Sequence, residues 1–326
     1  MWEFFCFCET FLYICGKIDK TMVKGKKILV LGANGTLGLM FREYYSYKFD
    51  YSFVVRTEES KKHNDDIVFN CSTTDINQWS ELLNGFNIVI NCAAATKVDL
   101  IETDIDEATK SHLVNFRAVE ALSKACLLEN VTLIHFSTDY VFNGVTSRPY
   151  FETDATNPIN AYGRDKMRGE LAIRESGCKY LIFRTSWVYS HHEGNFFTKI
   201  IEMINSPEQK VIFGATDIIS SPTNAYDLVM AINEILETNQ EHKVGIYHYT
   251  NEGVCTRYDF IKAIAEEHGY MIDDIEPVHN DYFQCPARRP YCSVMSKTHF
   301  ISTFGIFIPH WLESLKDCYV RYRNNN

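Results

Sequence analysis

Five residues, Lys27-Ile28-Leu29-Val30-Leu31, run straight into Gly32-Ala33-Asn34-Gly35-Thr36-Leu37-Gly38, and a helical pattern follows to about Tyr47. No other stretch narrows the fold as far. A continuous apolar run of this kind reads as a strand buried on both faces, the pattern of a parallel sheet. A G-x-x-G-x-x-G turn between strand and helix is built to cradle phosphate. Gly32 permits the tight turn, Gly35 lets the backbone approach a pyrophosphate, and Gly38 lets helix pack on strand. The helix N-terminus then faces the anion. Asn34, Thr36 and Leu37 lie in the same loop and count with it as cofactor contacts.

The alternation continues. Strands are expected over 51–55, 67–69, 87–91, 131–136 and 180–184. Helices are expected over 75–84, over 105–129 as one long helix containing Asn115, and from Asn160 toward Gly177. This is the signature of an α/β, doubly wound parallel sheet of Rossmann type. Beyond Tyr189 the pattern loosens. Helices are expected at 195–205, at 224–236 with Thr223 as N-cap, at 256–268 and from 311; strands are expected at 210–213 and 244–249.

Chemistry concentrates between Phe136 and Lys166. Ser137 and Thr138 end a strand, where open α/β sheets place their ligands. Tyr162 and Lys166 stand four apart on the following helix, hence on one face. An ammonium beside a phenol favours the phenolate, bringing Tyr162 toward the range useful for acid–base work. Thr138 offers a hydroxyl to a reacting oxygen. On the cofactor side, Arg56 ends the second strand where NAD-specific folds carry an acid. It suits a 2′-phosphate, so NADPH is favoured, with NADH still open. The small residues Ala93, Ala94, Ala95 and Thr96 after the fourth strand let a cofactor lie close to the backbone. Arg288-Arg289 forms a basic turn suited to a diphosphate beside a cleft.

The 326-residue chain has a net charge of −10 and no long basic block, which argues against nucleic-acid binding. Its eleven cysteines form no CxxC pair, so a reduced, cytoplasmic chain is expected. Residues 1–21 are greasy, but Glu3 and Glu9 interrupt them, so neither a membrane span nor a secretory signal is read there. They read as a hydrophobic arm or as upstream sequence, with Met22 a natural start. Metal ligation by Cys6, Cys8 and Cys15 is not expected.

Taken together, the Gly loop, Ala93-Ala94-Ala95-Thr96-Lys97-Val98-Asp99 with Glu102, Ser137-Thr138-Asp139-Tyr140-Val141-Phe142, Tyr162-x-x-x-Lys166, Arg184-Thr185-Ser186-Trp187-Val188-Tyr189, Ser221-Pro222-Thr223 and Ala287-Arg288-Arg289-Pro290 resemble the dTDP-4-dehydrorhamnose reductase family of extended short-chain dehydrogenases/reductases. The resemblance spans about residues 26–318. It implies a Rossmann domain (22–186 with about 214–250), a smaller C-terminal α/β sugar-nucleotide domain (about 187–213 with 251–326), and an extension (1–21). It implies NADPH-dependent reduction of the C4 ketone of a dTDP-linked 4-dehydro-6-deoxy sugar to dTDP-L-rhamnose. Thr138, Tyr162 and Lys166 would be catalytic, with Lys166 also holding the nicotinamide ribose. Val98, Thr138, Asp139, Trp187, Asn195 and Arg289 would meet substrate. Asn70 and Cys71 stand where the family usually has an acid near the adenine. Met40 replaces a Glu that holds magnesium between subunits in some bacterial members, so no metal is expected. A homodimer is left open. Two other readings remain: an NADP-binding regulatory subunit resembling the methionine adenosyltransferase β subunit, and a reductase or epimerase acting on a UDP-linked keto sugar.

Overall fold

The computed structural model describes residues 25–206, 208, 211–270 and 274–325. The expectations for residues 1–21, Cys6, Cys8, Cys15, Met22 and Lys210 lie outside them. The first half is β1 (Lys27–Leu31), α1 (Thr36–Tyr44), β2 (Asp50–Val55), β3 (Ile67–Val68), α2 (Ile76–Leu83) and β4 (Ile88–Asn91). Then come α3 (Val98–Thr103), α4 (Ile105–Ser111), a π-turn (His112–Arg117), α5 (Ala118–Leu128), β5 (Thr132–Thr138), α6 (Ala161–Ser176) and β6 (Tyr180–Thr185). The second half is β7 (Val188–Tyr189), α7 (Phe196–Asn205), β8 (Ile212–Ala215), β9 (Ile219–Ser220), β10 (Thr223–Asn224), α8 (Ala225–Glu237) and β11 (Gly245–His248). It closes with β12 (Cys255–Thr256), α9 (Arg257–His268), β13 (Ile275–Val278), α10 (Thr298–Phe304) and α11 (Trp311–Asn325).

Seven strands form one sheet in the order β11-β6-β5-β4-β1-β2-β3, and every pairing is parallel. Strand order reverses between β1 and β4, and at such a switch point the crevice beyond the strand ends receives ligand. The alternation within β1 decides how the helices pack. Ile28 and Val30 join Met40, Phe41, Leu228, Ile232 and Phe300 on one face. Leu29 and Leu31 join Trp79, Leu122 and Ala125 on the other. A third core (Phe197, Ile201, Phe260, Ile264, Leu315) binds α7, α9 and α11 together beyond the strand ends.

Three elements differ from expectation. The helix after the Gly loop stops at Tyr44, because Tyr45 turns extended. The single long helix over 105–129 is interrupted by the π-turn. The cause is Asn115 within it: buried, its amide accepts the Ala95 N–H at 3.0 Å and donates to the Ala95 carbonyl at 2.9 Å. A π-turn re-aims such a side chain without ending the helix. Asn224, rather than Thr223, caps α8 by accepting from the Tyr226 N–H, while the Thr223 hydroxyl donates to the Ser186 carbonyl.

Candidate active site

The Gly loop and the end of β4 fit each other backbone to backbone. Gly32 has φ +70°, and a Cβ there would stand 2.7 Å from the Ala93 nitrogen; a Cβ on Gly38 would collide with the Gly32 carbonyl. The cleft they border, about 710 Å³, is walled by Gly32, Asn34, Gly35, Arg56, Asn70, Cys71 and Ala93 to Ala95. No side chain caps the start of α1 and no acid sits in its first turn, so its N–H dipoles are open to an anion. A dinucleotide fits this cradle. Within it Asn34 braces the loop, donating to the Ser60 carbonyl at 2.6 Å. Asn70 folds onto Ser72. Burial pushes the Cys71 thiol up to about 12, so it packs as a neutral group. Asn115 acts through the Ala95 backbone.

Thr138, Tyr162 and Lys166 meet in a second cavity of about 700 Å³, whose walls also include Asn34 to Leu37, Ala94, Thr96, Val98, Trp187, Asn195 and Arg257. Local geometry explains the meeting. Asn160 caps α6, accepting from the Gly163 N–H at 2.8 Å while donating to the Arg288 carbonyl at 2.8 Å. Any Cβ at Gly163 would strike the Tyr140 carbonyl, so this glycine lets α6 lie against the turn after Thr138. Beneath the site Arg184 pairs with Glu170, both buried, at 2.7 Å, and the Ser137 hydroxyl donates to the same carboxylate.

The electrostatics differ from the expectation that Lys166 lowers the Tyr162 phenol. Burial first, then Asp139 and Tyr140, raise the phenol above its ordinary value; the hydrogen bond with Thr138 is what lowers it. Lys166 instead reaches β5, its Nζ 3.2 Å from His135 Nε2, and burial pulls the amine down to about 8. In the sequence His135 is one polar letter in an apolar strand and carries no signal of this role. Asn91 holds the ring from behind: its Oδ1 accepts the Ala93 N–H, and its Nδ2 lies 3.2 Å from His135 Nδ1. The ring thus links the end of β4 to Lys166, which at about 8 is mainly an ammonium at neutral pH.

The substrate-side residues are divided. Val98 and Trp187 line the cavity; Trp187 adopts φ +45°, its carbonyl held by the Thr223 N–H. Asp139 is buried, and its carboxylate accepts from Ser293 at 2.5 Å and Thr138 at 3.1 Å; burial raises it to about 6. It lines the cavity beside Thr138. Asn195 spends its amide on the Phe197 N–H and on the Ser190 and His192 carbonyls. Arg289 is not a free cation: Asp99 grips it at 2.6 and 2.5 Å. Among the described residues, a cation left without an ion pair is Arg257, stacked 3.8 Å over Trp187 and 4.5 Å over Phe196. Its Nη1 is shielded without a hydrogen-bond partner. It lines both this cavity and the adjoining one of about 670 Å³ that reaches Lys199 and Arg289.

A dinucleotide cradle at the switch point, opening into a cavity with a Tyr-x-x-x-Lys pair and a strand-end threonine, defines an oxidoreductase of the short-chain dehydrogenase/reductase class. Comparison with known proteins narrows the class. The family model described as "RmlD substrate binding domain" matches residues 26–324. A dTDP-4-dehydrorhamnose reductase of Escherichia coli K12 is 34% identical over 237 residues, covering 71% of this chain and 78% of the relative. One from Mycolicibacterium smegmatis is 32% identical over 300 residues, covering 90% and 85%. The dTDP-4-dehydrorhamnose reductase structure from Bacillus anthracis, solved with NADP, superposes with TM-score 0.80 at 29% identity, covering 91% of this chain and 99% of that one. The chain belongs to the dTDP-4-dehydrorhamnose reductase family.

Proposed function

We propose that this protein uses NADPH to reduce the C4 ketone of dTDP-4-dehydro-L-rhamnose, giving dTDP-L-rhamnose. The observation that carries the reading is a single cavity whose wall joins the Gly loop to Thr138, Tyr162 and Lys166 on one side and to Trp187 and Arg257 on the other. The Gly loop would hold NADPH, with Arg56 on the cleft wall suited to its 2′-phosphate, and the bound cofactor would supply the hydride for C4. Tyr162 gives its phenolic proton to the C4 oxygen as charge builds there. The Thr138 hydroxyl, held in place by Asp139, turns its single proton from that carboxylate to the C4 oxygen and steadies it. Lys166, set by His135 and Asn91, orients the ribose and restores the proton to Tyr162. Trp187 and Val98 pack the sugar.

Arg257 supports a diphosphate-linked substrate more strongly than Arg289 does, because Asp99 already balances Arg289. A UDP-linked keto sugar would use the same contacts and is the second substrate to try. Turnover of either one separates an enzyme from a regulatory subunit. Among the described residues no helix is long and apolar enough to cross a membrane, and the eight described cysteines are free thiols; both support a cytoplasmic location. Homodimer formation is read by sedimentation of the purified chain. The function itself is tested by following NADPH consumption with dTDP-4-dehydro-L-rhamnose. Stoichiometric formation of dTDP-L-rhamnose is expected; tight NADPH binding without turnover of either sugar would overturn the proposal.

A further inference from the structure

Outside the catalytic cavity, Glu43, His191 and His192 bring three ligand atoms within 4.8 Å of one another. Glu43 lies in the last turn of α1; the two histidines follow β7 in the loop that leads to Asn195. His191 Nε2 and His192 Nε2 each stand 3.0 Å from the same oxygen, Glu43 Oε2. The rings lie side by side, centroids 4.2 Å apart and inclined 37°. Only His191 forms a hydrogen bond with the carboxylate; His192 Nε2 is buried and has no hydrogen-bond partner. A hydrogen-bond network does not account for that second nitrogen, yet the loop aims it at the same point.

We infer that Glu43, His191 and His192 form a binding site for a divalent transition-metal ion of the zinc type. Two imidazoles and a carboxylate are a common zinc set. Ligand atoms about 2.0–2.2 Å from one ion stand roughly 3 Å apart, close to the nitrogen–oxygen separations seen here. Burial is graded as such a site requires: the His191 side chain is 2% exposed, His192 27% and Glu43 34%, leaving an open side for water. Tyr44 supports the group from outside, bonding Glu43 with its hydroxyl and contacting the His191 ring edge-on. Arg321 is engaged by the Tyr44 hydroxyl and the Tyr226 ring.

This departs from the expectation of no metal. It differs from the magnesium position too: Met40 is fully buried in the core and takes no part. Its consequence is mechanical. Glu43 shares a helix with the cofactor loop, and the histidines share a loop with Glu193 and Asn195 of the substrate cavity. A bound ion would fasten the cofactor side of the cleft to its sugar side.

The test uses the full chain, untagged and stripped with chelator. Co²⁺ titration, read by its ligand-field absorption, should show one ion per chain, displaced by Zn²⁺ and lacking thiolate charge-transfer bands. Glu43→Gln and a His191→Ala/His192→Ala double variant should each weaken Co²⁺ by more than the roughly 10–100-fold of a lost supporting contact. Circular dichroism checks folding; Glu43→Gln, nearly isosteric, carries the test if the double variant does not fold. No stoichiometric binding, thiolate bands, or unchanged affinity in the folded variants would each overturn the assignment.

Discussion

Replacing Arg257 by Met keeps the aliphatic stem between Trp187 and Phe196 and removes the guanidinium. Two losses and one gain follow. The stacking of cation on two rings disappears, roughly 0.5–2 kcal/mol. The shielded, unpartnered N–H at Nη1 disappears as well, relieving about 1–3 kcal/mol. These nearly cancel, so the melting temperature should move by no more than about 3 °C. Binding has no such compensation. A charge-assisted hydrogen bond to the substrate diphosphate is worth about 1.5–3 kcal/mol, which raises KM roughly 10- to 150-fold. NADPH affinity should hold, since Arg257 does not line the cofactor cleft. Initial rates across sugar-nucleotide concentration, with a parallel NADPH titration, separate these effects. A KM within about threefold of wild type, or a fall in kcat alone, would refute the role of Arg257 as the diphosphate anchor.

Three shorter predictions follow from the same geometry. The folded Asp139 carboxyl sits at about 6, above its ordinary 3.8. Between these values the native chain holds more protons than the unfolded one, so stability falls as pH rises through this window and stays reduced above it. Asp139→Asn should therefore gain on the order of 3 kcal/mol above pH ~7 and lose that gain near pH ~4; thermal melts showing an equal gain at both would contradict this. Glu170→Ala strands the buried Arg184 and should cost about 3–5 kcal/mol, lowering the melting temperature by roughly 5–15 °C. Arg56→Ala should weaken NADPH about 5- to 10-fold by fluorescence titration and leave NADH unchanged, because an exposed cation on the cleft wall contributes about 1 kcal/mol; equal loss for both cofactors would remove Arg56 from 2′-phosphate recognition.

The parts legible in the sequence are those set by short-range pattern. The apolar run of β1, its glycine loop and the i, i+4 pair Tyr162 and Lys166 each carry their geometry locally, and the seven-stranded sheet follows from repeating the first unit. What escaped is set by partners distant in sequence. The π-turn exists because Asn115 bonds Ala95, twenty residues away. Asp99 neutralises Arg289 from 190 positions away, so the basic turn is less available than its letters suggest. Arg257 reads as an ordinary first residue of a helix until the fold slides Trp187 and Phe196 beneath it. Lys166 meets His135 because α6 crosses β5, and no periodicity encodes that crossing. The short elements α3, β13 and α10 lack the length to show a period at all.

The most direct test of the proposed chemistry compares Tyr162→Phe with wild type for NADPH oxidation by dTDP-4-dehydro-L-rhamnose. If the phenol delivers the proton to the C4 oxygen, turnover drops at least ~100-fold while NADPH affinity is nearly intact. Turnover in the variant close to that of wild type would contradict the account and move the proton donor elsewhere in the cavity.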